Sequence, residues 1–153
     1  MKKSFGKIWI LRRLKEFGVK EIDLLDIYIV QIRSGMEYCL PAWNPSLTEY
    51  DKAEIERVQN TAFKIIHGEK YSDYETSLRL CQLKSLEERR EELCKNFALK
   101  CIESKNHKDL FKRNTNPNFH HPTKYEVPFC RHERYRMSPI PYLTGLLNQE
   151  ETN

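Results

Sequence analysis

Residues 21–45, EIDLLDIYIVQIRSGMEYCLPAWNP, decide the fold. Ile22, Leu25, Ile29, Ile32 and Met36 recur every three or four residues, the spacing of one helix face. Leu24, Tyr28 and Val30 add apolar surface on the other sides. A helix apolar on several faces belongs in the middle of a bundle. Gly35 is a point where it can bend, and Pro41 ends it by forcing the preceding residue out of the helical region. Trp43, close behind Pro41, reads as a plug for the core rather than a binding residue.

On the N-terminal side, a helix is expected from Ser4 to Phe17, with Ile10, Leu11, Leu14 and Phe17 inward and Gly18 as its left-handed stop. On the other side, Thr48 with Asp51 forms a capping pair for a helix whose inner stripe is Ile55, Val58, Ala62, Ile65 and Ile66, ending at Gly68. Ser72 is the expected cap of a short helix through Leu80. Ser85 with Glu88 opens a long one to Ser104, with Leu86, Leu93, Cys94, Phe97, Cys101 and Ile102 inward and the run EERREE solvated. Residues 112–134 lose all apolar period and are rich in Asn, Pro and His, which predicts a strap over the helical body. Ser138 and Pro139 then start a last short helix carrying Leu143, Leu146 and Leu147.

The predicted fold is mainly α, an irregular helical bundle of five or six helices with a long extended C-terminal strap. Residues 1–111 form the bundle; residues 112–153 form the basic strap and a short helix packed on it. Ile22, Leu25, Ile29, Ile32, Val58, Ala62, Leu93 and Phe97 are expected inside, with almost no strand outside 120–130.

A chain of 153 residues supports one domain with a real core and is short for two. It is 31% charged with mean hydropathy −0.73. No apolar run approaches the ~18–20 residues that cross a bilayer, and the N-terminus lacks the apolar centre of a secretory signal. Five scattered cysteines without a CxxC, two of them (Cys94 and Cys101) on one helix face, read as reduced and structural, hence intracellular. Charge is uneven: net +6 over residues 1–20, −5 over 21–104 and +5 over 105–136. Basic ends of this kind suit phosphate contacts or simply solvated faces.

Several chemistries lack their residues. Two-metal nucleotidyl transfer needs carboxylates that hold ions about 3.5–4 Å apart. The five aspartates, Asp23, Asp26, Asp51, Asp73 and Asp109, are never adjacent. His107, His120, His121, Cys130 and His132 do not make the paired spacing of a structural zinc. Cys130 and His132 have no third orienting group for nucleophilic catalysis. No glycine-rich phosphate loop occurs. No catalytic residue, metal, cofactor, small-molecule substrate or membrane contact is therefore expected.

Cations beside aromatic rings remain. Lys7, Arg12, Arg13 and Lys15 surround Trp9 on the first helix and suit a sugar-phosphate backbone. In RHERYR, Arg131, Arg134 and Arg136 flank Tyr135, a stacking ring for single-stranded nucleic acid. The plain alternatives are an amphipathic helix with solvated arginines, and a strap pinned by arginine–carboxylate pairs.

Five segments in order, IWILRRLKEFG (8–18), IRSGMEYCLPAW (32–43), IERVQNTAFKIIHG (55–68), LKSLEERREELC (83–94) and RYRMSPIPYLTGLLN (134–148), carry a resemblance across residues 7–148. Together they resemble the region downstream of the polymerase core in non-LTR retrotransposon reverse transcriptases, the helical thumb and its extension. The resemblance implies weak, non-specific contact with the backbone of an RNA/DNA template-primer. The palm and its adjacent aspartates are missing, so it implies neither polymerase nor nuclease activity. Two other readings stand beside it: a helical protein-interaction module with no nucleic-acid role, and a degraded element with no selected function.

Overall fold

A computed structural model of the chain describes residues 2–115 and 124–149, apart from the side chains of residues 2–5 and 108. In chain order the helices are α1 Lys2–Glu16, α2 Glu21–Ile27, α3 Ser34–Glu37, α4 Leu40–Trp43, α5 Glu49–His67, α6 Tyr74–Cys81, α7 Leu86–Glu103, α8 Glu133–Arg136 and α9 Pro139–Asn148. A π-helical turn, Tyr28–Arg33, joins α2 to α3. The protein is mainly α, an irregular helical bundle. Six of the helices among the described residues reach seven residues or more. Paired extended backbone there is confined to one antiparallel bridge, Arg113 with Tyr125. His120 and His121, with the rest of 116–123, lie outside the described residues.

The chain folds as two compact units, residues 1–38 with 48–89, and residues 39–47 with 90–153. The line expected at residue 111 follows a change in composition, whereas the units follow packing, which divides α7 after Arg89.

In the first unit α5 is the central element. Ile55, Val58, Gln59, Ala62, Phe63 and Ile66 are its buried residues, an unbroken three-and-four pattern. Each large apolar side chain so buried contributes about 1.5–3 kcal/mol. The expected cap is present: the Asp51 amide donates to Thr48 Oγ1 at 3.2 Å and the Thr48 amide to Asp51 Oδ2 at 3.2 Å. Gly68, at φ +56, stops the helix in a conformation that favours glycine. For α6 the cap is Asp73, not Ser72, because the Asp73 carboxylate accepts the Thr76 amide at 2.9 Å. At the start of α7 the expected pair forms between Ser85 and Glu88. Glu56 also accepts the amides of Leu86 and Glu87, placing a carboxylate where free N–H groups point.

The helix from residue 21 to 37 corrects one expectation. Its buried apolar residues are Leu24, Tyr28, Ile32 and Met36, spaced by four throughout, while Ile22 is 62% exposed and Leu25 and Ile29 are half-buried. In a plain α-helix a spacing of four drifts about 40° per step. The π turn winds more slowly and keeps the four in line. Its signature is the Ser34 amide, which donates to the Ile29 carbonyl five residues earlier. The Ser34 hydroxyl donates to the Val30 carbonyl, and Lys7 Nζ to the Gln31 carbonyl at 2.6 Å.

The second unit packs Leu40, Cys94, Ala98, Cys101, Phe111, Tyr125, Leu143 and Leu147 together, with Trp43 against them. Cys94 and Cys101 share the buried face of α7 as their spacing predicts, and burial pushes the Cys94 thiol up to about 11. Phe97 was expected inside and is 47% exposed. The buried arc of α7 centres on Ala98, with Arg90 buried in line at 4% exposure, and Phe97 stands about 100° away. A small residue at the contact lets neighbouring backbones approach closely.

The strap is anchored rather than loose at its described ends. Asn114 donates to the Lys124 carbonyl and Glu126 to the Lys112 carbonyl, closing a two-residue ladder. Asn148 of α9 then acts as a third strand would: its Oδ1 accepts the Tyr125 amide and its Nδ2 donates to the Tyr125 carbonyl, each at 3.0 Å. Part of RHERYR is not extended, since Glu133–Arg136 makes the helical turn α8.

Candidate functional site

Two basic clusters were expected, and each belongs to a different unit. On α1 the inward side chains are Ile8 and Leu11, not Ile10 and Phe17. At 100° per residue Lys15 falls between Leu11 and Ile8 and Lys7 about 40° beyond Leu11, which explains their partners. Lys7 Nζ is bound to the Gln31 carbonyl and Lys15 Nζ donates to the Ile66 carbonyl at 2.7 Å. Both ammoniums thus hold α1 down on its own unit. Lys15 also lies 4.0 Å from Glu21. A 3.0 Å hydrogen bond from Lys70 holds that carboxyl below its usual range, with weaker pulls from Lys15 and His67.

Arg12 and Arg13 face solvent. Arg13 pairs with Glu16 at 2.8 Å and places its guanidinium 5.4 Å from the centre of the Trp9 ring. An exposed ion pair of this kind is worth little and leaves both groups available to other charges. The outer face of α1 therefore carries Trp9, Arg13 and Phe17 at a spacing of four, with Ile10 beside them. Trp9 is 60% and Phe17 83% exposed. An arginine already stacked on an indole is a platform for a planar or anionic group.

In the second unit Arg131, Arg134 and Arg136 are all exposed on or beside α8, and Tyr135 is partly so. Arg136 pairs locally with Glu133 at 3.4 Å. Neither Arg131 nor Arg134 makes an ion pair among the described residues. The structure thus places these three cations together, and Arg12 with Arg13 and Trp9.

Two features escaped the sequence reading. One is Phe129, 88% exposed directly before Cys130 and Arg131; the signal was an aromatic in a stretch without apolar period. The other is the Arg33–Glu37–Arg89 cluster in the first unit, where Glu37 Oε1 accepts from Arg33 Nε at 2.9 Å and Arg89 Nε at 3.1 Å. Arg33 and Glu37 are four apart, but Arg89 lies 52 residues from Glu37, and no local pattern links it to them.

Among the described residues no three His, Cys, Asp or Glu side chains gather as a metal site would require, and no helix is long and apolar enough to cross a membrane. The aspartates stay apart: Asp51 and Asp73 cap helices, and Asp23 lies on α2. No family model, curated protein or solved structure matches this chain.

Proposed function

We propose that the chain is a non-catalytic helical segment of the kind that follows the palm in non-LTR retrotransposon reverse transcriptases. In this reading it touches the sugar-phosphate backbone of RNA or DNA weakly and without sequence preference, inside the cell. The observation that carries the reading is the outer face of α1, where Arg12 and Arg13 are exposed around a half-open Trp9. Cations supply phosphate contacts, and the indole supplies a surface that stacks on any base. The separation of the aspartates supports an absence of nucleotidyl transfer, and primer extension on an RNA template with magnesium should give no product.

The test is binding of a labelled single-stranded RNA across a salt series. Affinity should lie near the weak end of non-specific binding, about 10⁻⁴ M at physiological salt. Arg12→Ala with Arg13→Ala should weaken every sequence alike and reduce the salt slope by about 1–2. Lys15 is left intact because its bond to Ile66 serves the fold. Arg131, Arg134 and Arg136 are replaced in a second variant, which reports the other unit separately. Unchanged binding in both variants sinks the reading.

The exposed apolar residues Ile10, Phe17 and Ile22 favour a second reading, a protein-interaction module. An apolar partner would bind nearly independently of salt, whereas phosphate contacts weaken steeply.

A further inference from the structure

In the second unit, a cleft of about 670 Å³ runs between the segment 127–130 and α9. Pro128, Phe129, Met137, Tyr142 and Leu146 line it, and Gly145 forms part of its floor. The antiparallel ladder that begins at Lys112 and Lys124 ends at Glu126. Beyond it, the main-chain N–H groups of Val127, Phe129, Cys130 and Arg131 make no backbone hydrogen bond among the described residues. Pro128 holds Val127 in the extended region. Arg136 lines the cleft, and Arg131 and Arg134 follow its wall segment in the chain with Glu133 as the one acidic residue among them, a net +2 over residues 131–136.

We propose that this cleft binds an acidic, extended peptide segment of a partner protein by strand addition. Main chain pairs with main chain along Val127–Arg131, an apolar side chain of the peptide enters between Phe129 and Leu146, and its carboxylates meet the arginines. The three demands select a peptide over a polynucleotide. A nucleic acid would satisfy the arginines, and its phosphate oxygens accept from N–H groups, but it has no aliphatic anchor for the apolar lining of Pro128, Phe129 and Leu146. The nucleic-acid reading is carried by α1 and shares with this inference only the arginines of residues 131–136, so Gly145→Leu, which touches none of them, tells the two apart.

The probe is a fluorescein-labelled peptide of about ten residues, the length of a long strand, in which glutamate alternates with valine and leucine. Anisotropy should report saturable binding. Replacing alternate residues by proline, or glutamate by lysine, should weaken it at least tenfold. Gly145→Leu is the decisive variant. Gly145 lines the cleft and a Cβ there meets nothing within 4 Å, so a leucine has open space at its base beside the cleft, and leucine favours a helix over glycine. It should leave the melting temperature unchanged or higher and abolish peptide binding. Arg131→Glu with Arg134→Glu should do the same through charge. Three results would overturn the proposal: no saturable binding, equal binding by Gly145→Leu, or equal binding of the proline-containing peptide. A single-stranded RNA of equal charge that binds more tightly and is lost in Gly145→Leu would also overturn it, and would mark the cleft as a base pocket.

Discussion

Glu37 is the shared acceptor of Arg33 and Arg89, and Arg33 is 7% exposed. A guanidinium so far from water is tolerable only with its carboxylate. Glu37→Ala should therefore destabilise the protein by roughly 3 kcal/mol, read from urea midpoints by circular dichroism. Glu37→Gln should cost less, because it keeps an acceptor while losing the charge. Deep in the same unit, the Tyr28 hydroxyl donates to Gln59 Oε1 at 2.8 Å, and both residues are fully buried. Tyr28→Phe should cost about 1–3 kcal/mol by stranding that oxygen. Adding Gln59→Leu removes the stranded oxygen but also the bond from Gln59 Nε2 to the Lys84 carbonyl at 3.2 Å, so Tyr28→Phe should cost less in a Gln59→Leu background than alone. If Tyr28→Phe costs as much in the Gln59→Leu background as alone, the stranded acceptor is not the cause. Neither the Glu37–Arg89 nor the Tyr28–Gln59 pair was legible in the sequence, because a polar residue looks the same whether or not a distant partner meets it.

At the scale of elements, the starts and stops of helices are local and were readable. Thr48 with Asp51, Ser85 with Glu88, and Gly18 at φ +76 act as their sequence neighbours imply. The π turn was not readable, since its cause is the neighbour it packs against. It holds more residues per turn than an α-helix, so it is the place where the chain can lose one. Deletion of Val30, which is 61% exposed, should give a folded protein with a regular α-helix there and a modest fall in melting temperature. Deletion of Arg57 within α5 should abolish cooperative unfolding, because every later side chain of that helix turns by about 100°. Equal damage from both deletions would mean that the π turn is no reserve of slack. The face of α1 was misread for a related reason: Ile10 and Phe17 fit one arc as well as Ile8 and Leu11 do, and only the position of α5 chooses between them.

At the scale of the whole molecule, titration sets the range of stability. Asp51 is held below the usual carboxylate range first by the Thr48 hydroxyl and then by its amide, and Asp73 first by the Thr76 amide. Glu21 is lowered by Lys70. A lowered carboxyl stabilises the folded state above its unfolded value of about 4 and loses that contribution as pH falls further. Cys94 works in the other sense. Its thiol is raised to about 11, so its contribution is complete below the unfolded value of about 8.5 and is lost between the two. Burial raises Tyr28 and Tyr142 as well, extending the alkaline loss. Urea midpoints should be level between about pH 5 and 8 and fall on both sides, and Cys94→Ala should flatten the limb between about 8.5 and 10 whatever its effect on the plateau. An unaltered alkaline limb in that variant would remove Cys94 from the account.

The sequence by itself determined the helical class, the capping pairs of Thr48 with Asp51 and Ser85 with Glu88, the buried cysteine pair of α7 and the break in character after residue 105. Each depends on residues within one or two turns of each other, or on composition. Tertiary structure alone decided that α7 turns Ala98 and not Phe97 inward, and that Lys7 and Lys15 are bound to carbonyls while Arg12 and Arg13 stay in solvent. It also decided that Tyr125 is held by Asn148. These outcomes hang on which of several similar helix faces finds a partner, and on bonds between groups 23 to 51 residues apart. Periodicity specifies that a face exists; only the packed neighbour specifies which face is used.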